Sequence, residues 1–161
     1  MFHFLQSKKD KLPSTALTAI TDGRLIPIEQ VSDAVFAQKM LGDGVAILPQ
    51  TAVNTAPCAG RITMIYPTLH AFGMISQDGL EMLIHIGINT VKLKGVGFHQ
   101  HVAIHDDVEA NDPIISFDAS YLSNHTLDFT TMLLFPDCNR QLTIKTRGHV
   151  RKGKDVVVTY Q

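Results

Sequence analysis

A chain of 161 residues with 14 Lys and Arg, 15 Asp and Glu and a formal net charge of −1 is long enough for one domain that buries roughly two-thirds of its unfolded surface. Its cations are scattered apart from runs at 8–11 and 147–154, which excludes a nucleic-acid footprint, and no apolar run approaches membrane-spanning length. The opening residues lack a secretory signal's apolar core, and Cys58 and Cys138 have no close spacing, so the expectation is a cytosolic protein with free thiols and no direct membrane insertion.

In chain order, residues 1–14 are polar after Phe2, Phe4 and Leu5 and contain Pro13; they are expected to form a flexible leader, with residues 15–161 as the domain. From Leu17 onward, short apolar runs are punctuated by Asp22-Gly23, Gly42-Asp43-Gly44, Gly60, Asp78-Gly79, Gly95, Gly97, Asn111-Asp112-Pro113, Gly148 and Gly153. This spacing predicts many short strands in an all-β antiparallel sandwich or barrel. Helix is confined to one or two short stretches, within 30–40 with Ser32 or Asp33 as cap, and at 119–125. Val35 and Phe36 also read as strand, with Met40 and Leu41 behind them as candidate core.

An internal echo supports the β reading. Ala19 to Ile28 and Ala56 to Ile65 share Ala-x-x-x-Gly-Arg-[Leu/Ile]-x-x-Ile, and Val108 to Ile115 and Val150 to Val157 share a turn opening into a β-branched strand. Two copies are too few for a solenoid, which needs about three, so the echo suggests pseudo-symmetric halves of one sandwich.

The stretch from Gly79 to Val91 places one titratable group in an apolar strand. Leu80, Met82, Ile84 and Ile86 alternate with Glu81, Leu83, His85 and Gly87, so His85 shares a face with Leu83 and with a glycine that leaves its ring uncrowded. The segment 62–72 reads as a second extended stretch in which parity sets Thr68, His70 and Phe72 on one face despite Pro67. Adjacent strands would bring His70 and His85 together with Thr68 beside them.

Three chemistries fit such a pair. A neutral imidazole near pH 7 is a nucleophile for phosphoryl transfer, provided that one ring nitrogen is open and the other is held by a fixed acceptor such as the Gly87 carbonyl. His70, the Thr68 hydroxyl and backbone N–H groups are then the donors for phosphoryl oxygens. Zinc coordination is the second: His99-Gln-His101 places two imidazoles on one side of a strand, with His105 four residues on. The ordering carboxylates, Asp106 and Asp107, follow a turn, and exposed strand histidines are the default for His99, His101, His105, His125 and His149. The third is a binding module docking a partner on the apolar face beside His85. Serine and cysteine nucleophile motifs are absent from the sequence.

Several stretches resemble one known family. The run from Gly79 to Val91 is similar to the signature around the phosphorylated histidine of glucose-class IIA domains of the phosphoenolpyruvate-dependent sugar phosphotransferase system. Asp33 to Pro49, Ala56 to Ile62, Thr68 to Phe72, Leu93 to Phe98 and Ile115 to Asp118 match in order and spacing. The resemblance implies a duplicated-hybrid-motif β-sandwich (barrel-sandwich hybrid). It implies that His85 accepts a phosphoryl group at Nε2 from the histidine phosphocarrier protein HPr and passes it to a cysteine of a sugar-specific IIB domain. It makes His70 the assisting histidine and oxygen donor and Thr68 its hydrogen-bond partner.

It also implies a docking rim of Val35, Phe36, Leu41, Tyr66, Leu83 and Val91, with Asp33 in an acidic fringe. No cofactor is implied, zinc at His70 and His85 being conceivable only in a partner complex. The same resemblance leaves room for regulated transporters or kinases as partners, and for an alternative in which phosphorylation of His85 only switches partner affinity. Zinc peptidases that share the duplicated fold need a His-x-x-x-Asp upstream of His-x-His, which is absent. Asn89 and Lys92 stand where members often carry aspartate and glutamate, so the fringe is less acidic and docking is expected to differ.

Overall fold

The turn residues noted in the sequence fall between strands or at their starts in the computed structural model, which describes residues 15–161; the leader expected at 1–14 lies outside the described residues. The strands are β1 (Ala16–Thr18), β2 (Gly23–Ile26), β3 (Asp43–Pro49), β4 (Val53–Thr55), β5 (Gly60–Ile65), β6 (Ala71–Ser76) and β7 (Glu81–Ile88). They continue as β8 (Phe98–Gln100), β9 (Asp107–Val108), β10 (Pro113–Phe117), β11 (Asp128–Phe135), β12 (Leu142–Ile144), β13 (Gly148–Val150) and β14 (Val156–Tyr160). They pair antiparallel into an eight-stranded sheet, β13-β2-β3-β11-β7-β6-β5-β9, and two three-stranded sheets, β1-β14-β12 and β4-β10-β8. Among the described residues no helix is long and apolar enough to cross a membrane.

The internal echo has a physical counterpart. The Gly-Arg copies open β2 and β5, each one strand in from an edge of the large sheet, and the valines of the second echo lie on the two edge strands. Gly23 pairs with Val150 and Gly60 with Val108, and a Cβ on either would overlap a carbonyl of the inner neighbour strand, Leu48 O or Ile75 O, so both halves need the same small residue at the same place. The pseudo-twofold passes between the central strands, β11 and β7.

One face of the large sheet packs on the small sheets. Leu25, Ile47, Ile62, Phe72, Ile84 and Leu133 from the former meet Leu17, Ile114, Ile115, Val157 and Val158 from the latter in a single buried cluster, and this apolar burial is the main driving force for the fold. Among the described residues the other face is covered only over one half, where Ile28, Val31 and Phe36 pack on Ala46, Ile88, Met132 and Leu134.

That cover replaces the strand read at Val35 and Phe36. Asp33 accepts a hydrogen bond from Val35 N at 2.8 Å, and an extended Asp whose carboxylate takes an orphan N–H starts a helix, so both residues sit in the single turn α1 (Ala34–Ala37). Phe36 points inward, whereas Met40 and Leu41, candidate core in the sequence, are exposed. The second helical stretch is a 3-10 turn at Ala119–Ser123.

The extended segment read over 62–72 is two strands joined by a turn. Tyr66 N donates to Ala71 O and Leu69 N to Tyr66 O, with Leu69 at φ +58°. His70 belongs to this turn and not to β6, so the two-residue alternation does not tie it to Phe72: Phe72 enters the inner core opposite Ile84 while His70 turns to the outer face. Parity had put the two on one side.

Candidate functional site

The site lies at the open border of the half-covered outer face, at the centre of the large sheet. On β7, Met82, Ile84 and Ile86 enter the inner core, and the two-residue period sends Leu83 and His85 outward. His85 stands opposite Ala71 on β6 and Met132 on β11. Ile86 N donates to His70 O at 2.7 Å, fastening the end of the 66–70 turn to β7. The imidazole centroids of His70 and His85 are thereby 5.1 Å apart, edge to face at 77°.

Aromatic rings flank the pair on both sides. The Phe36 centroid is 4.8 Å from that of His85, and Tyr66 meets His70 edge-on at 5.0 Å.

Both rings are anchored through Nδ1. His85 Nδ1 lies 2.8 Å from Gly87 O, and a carbonyl only accepts, so Nδ1 carries the proton and Nε2 the lone pair. Gly87 achieves this at φ +80°, in a bulge where the β7–β11 register shifts between Asp128 and Thr131. A Cβ there would stand 2.4 Å from Thr90 Cγ2 and 3.1 Å from Asp128 O. Thr90 is itself held, its hydroxyl donating to Ile86 O. His70 Nδ1 is 2.6 Å from Thr68 Oγ1.

Neither Nε2 has a hydrogen-bond partner among the described residues, yet neither is sealed. The side-chain atoms that are both fully buried and unpartnered there belong to Asn54 alone. Each ring nitrogen thus keeps some contact with solvent in an apolar dish walled by Phe36 and Tyr66, although His70 as a whole is 6% exposed.

Burial among these rings lowers the pKa of both imidazoles, and that of His85 falls to about 4. The Gly87 bond and Asp33 oppose the drop, and the neighbouring His70 adds to it. At neutral pH both rings are therefore uncharged, the state a nitrogen nucleophile requires.

Of the residues read as a rim, Val35, Leu41 and Val91 are exposed, and Tyr66 and Leu83 are half-buried. Asp33 is half-buried and caps α1. Phe36 departs from that reading: at 6% exposure it walls the His85 ring instead of meeting solvent. Met40, expected in the core, and Val96, which the sequence did not single out, are each 68% exposed. An apolar residue isolated between Gly95 and Gly97, as Val96 is, was the available signal. A Cβ on Gly95 would stand 3.7 Å from Thr68 O, so the 90–97 segment borders the dish opposite α1.

The other histidines do not converge. His99 Nε2 meets Asp118 at 3.1 Å and His101 Nε2 meets Ser116 at 2.7 Å, and no three His, Cys, Asp or Glu side chains among the described residues are grouped to hold a metal ion. Cys58 and Cys138 are unpaired, and burial pushes the Cys58 thiol up to about 12.

Comparison with known proteins agrees with this geometry. The profile of the family described as phosphoenolpyruvate-dependent sugar phosphotransferase system, EIIA 1, matches residues 15–140. Among solved structures, the glucose permease IIA from Mycoplasma capricolum superposes with a TM-score of 0.81 at 35% sequence identity, over 89% of this chain and 93% of that one.

Two outcomes follow from the site. In an NMR titration the His85 ring resonances should move with a midpoint near pH 4 in place of the ordinary 6.5; a midpoint above about 6 would contradict the burial argument. Between those values the unfolded chain binds a proton that the folded chain refuses. The contribution of His85 to stability is therefore full above about pH 6.5 and lost as pH falls towards about 4. Gly87→Ala should cost roughly 2–4 kcal/mol in urea unfolding, from a left-handed φ and the overlap with Thr90.

Proposed function

Because the chain belongs to the EIIA 1 family of the phosphoenolpyruvate-dependent sugar phosphotransferase system, and is thus a phosphotransferase component of sugar uptake, we propose that His85 is its phosphoryl carrier. The observation that supports this most is the Nδ1–H of His85 held by Gly87 O at 2.8 Å, which leaves an uncharged Nε2 lone pair facing solvent beside a second imidazole.

In the reading offered, HPr brings a phosphohistidine to the dish. The His85 Nε2 lone pair attacks phosphorus, the donor's P–N bond breaks, and that electron pair returns to the donor imidazole. The Nδ1 proton stays in place, so positive charge grows on the His85 ring as the new N–P bond forms, and the Gly87 carbonyl dipole offsets it. His70, with Thr68 Oγ1 donating to its Nδ1, carries its proton on Nε2 and offers that N–H to a phosphoryl oxygen. In the second step a cysteine thiolate of a sugar-specific IIB domain attacks phosphorus, the N–P bond breaks, and His85 regains its lone pair.

The transfer as drawn uses no cofactor. The two imidazoles would hold a zinc ion only where a partner supplied the remaining ligands. Asp33, Val35, Leu41, Tyr66, Leu83 and Val91 form the contact rim for both partners, with Met40 and Val96 extending it and Phe36 supporting it from beneath. In this reading the work is done in the cytosol by the domain of residues 15–161.

Incubation with phosphoenolpyruvate, the system's first enzyme and the phosphocarrier should place an acid-labile label on His85. His85→Ala should take up none. His70→Gln should still be labelled, yet pass the group to the IIB domain at least about a hundredfold more slowly, the loss typical of one transition-state hydrogen-bond donor. Acid-stable label, or label retained in His85→Ala, would overturn the assignment.

A further inference from the structure

The rim of the dish is electrostatically divided. On the α1 side, Lys39 bridges Glu29 at 3.0 Å and Asp43 at 3.6 Å and offsets one of their two charges, and Asp33, which caps α1, keeps its own, so this side stays net negative. On the opposite side, Lys92 and Lys94 are exposed, and neither joins an ion pair among the described residues.

The segment that carries them is held in shape. Lys92 N bonds Asn89 O, Lys94 N bonds Val91 O and Val96 N bonds Leu93 O. Thr90 is buried and tied to Ile86 O, and the Tyr121 hydroxyl donates to Val96 O at 2.6 Å. Backbone groups are therefore satisfied from within, while Val91, Lys92, Lys94 and Val96 face solvent, the two lysines lying between the two valines. Exposed valines flanking a pair of lysines on a braced support beside a reactive group form the edge of a protein-docking surface. An isolated solvated charge run needs neither the bracing nor the valines.

We propose that the phosphoryl donor protein presents an acidic edge to Lys92 and Lys94, so that charge complementarity on this side sets its orientation over His85; this rests on the carrier function proposed above. Such rim pairs act on encounter rate and register more than on the chemistry, because exposed charges are felt over a screening length of about 30 Å at 10 mM salt and about 3 Å at 1 M.

The test compares two phosphoryl donors on the whole chain: the phosphorylated phosphocarrier from the same system, and phosphoramidate, a small donor with no docking face. For the wild type, the second-order rate from the phosphocarrier should fall steeply with salt. Lys92→Glu/Lys94→Glu should lower it about tenfold or more at low salt and flatten the salt slope, with phosphoramidate labelling of His85 unchanged. Lys92→Arg/Lys94→Arg should keep the wild-type rate. A double charge reversal that leaves the phosphocarrier rate unchanged or raises it would overturn the acidic-edge proposal. Equal slowing with both donors would also overturn it, since the lysines would then act on the phosphoryl group. Failure of both donors to label wild-type His85 would instead bring down the carrier reading on which the proposal rests.

Discussion

The arrangement of this site depends on one hydrogen bond, from His85 Nδ1 to the carbonyl of Gly87 two residues along the same strand. A regular strand directs successive carbonyls sideways to its neighbours, so a residue cannot ordinarily fold its own backbone back onto an adjacent side chain. The positive φ of Gly87 breaks the ladder at that point and turns the carbonyl toward the His85 ring. Tautomer, ring orientation and the location of the lone pair follow from that one backbone torsion. The buried Thr90, bonded to Ile86 O, fills the space a Cβ would need and keeps the torsion from relaxing.

The duplicated architecture explains where the site can exist. The two halves place β11 and β7 side by side about a pseudo-twofold, and Met132 on β11 directly faces His85 on β7. What distinguishes the halves is the insertion between β2 and β3, which lays Ile28, Val31 and Phe36 across one side of the outer face and stops at the His85 ring. The uncovered side keeps its strands short of cover, and the 66–70 turn delivers His70 into that opening. Function thus occupies the boundary at which the symmetry is broken, where one wall is apolar packing and the other is open to a partner. The same boundary supplies the low-dielectric surroundings that keep both imidazoles neutral.

Much of this was legible in the residues. Frequent turn glycines announced short strands, and the repeated Gly-Arg unit announced the two halves because Gly23 and Gly60 serve the same edge pairing. The alternation around His85 was readable because β7 obeys a strict two-residue period up to its bulge. Reading failed wherever that period was interrupted by a torsion that composition does not announce. Leu69 adopts φ +58° though leucine has no preference for it, so the 62–72 segment looked continuous. At 35–41 the apolar residues Val35, Phe36, Met40 and Leu41 fit strand or core equally well in one dimension. The Asp33 cap, and the absence of any strand able to pair with them, decided otherwise.

The sequence by itself determined the fold class, the strand that carries His85, and the presence of a carbonyl within reach of its ring, since all three rest on local periodicity and on chain neighbours. Only the tertiary structure decided that His70 meets His85, that Phe36 supports the site instead of bordering it, and that Lys39 bridges two acids while Lys92 and Lys94 join no ion pair among the described residues. Those outcomes depend on contacts between residues far apart in the chain, and side-chain pairing across such distances follows from the register of β6, β7 and β11 and from which half of the sheet is covered, neither of which a linear pattern encodes.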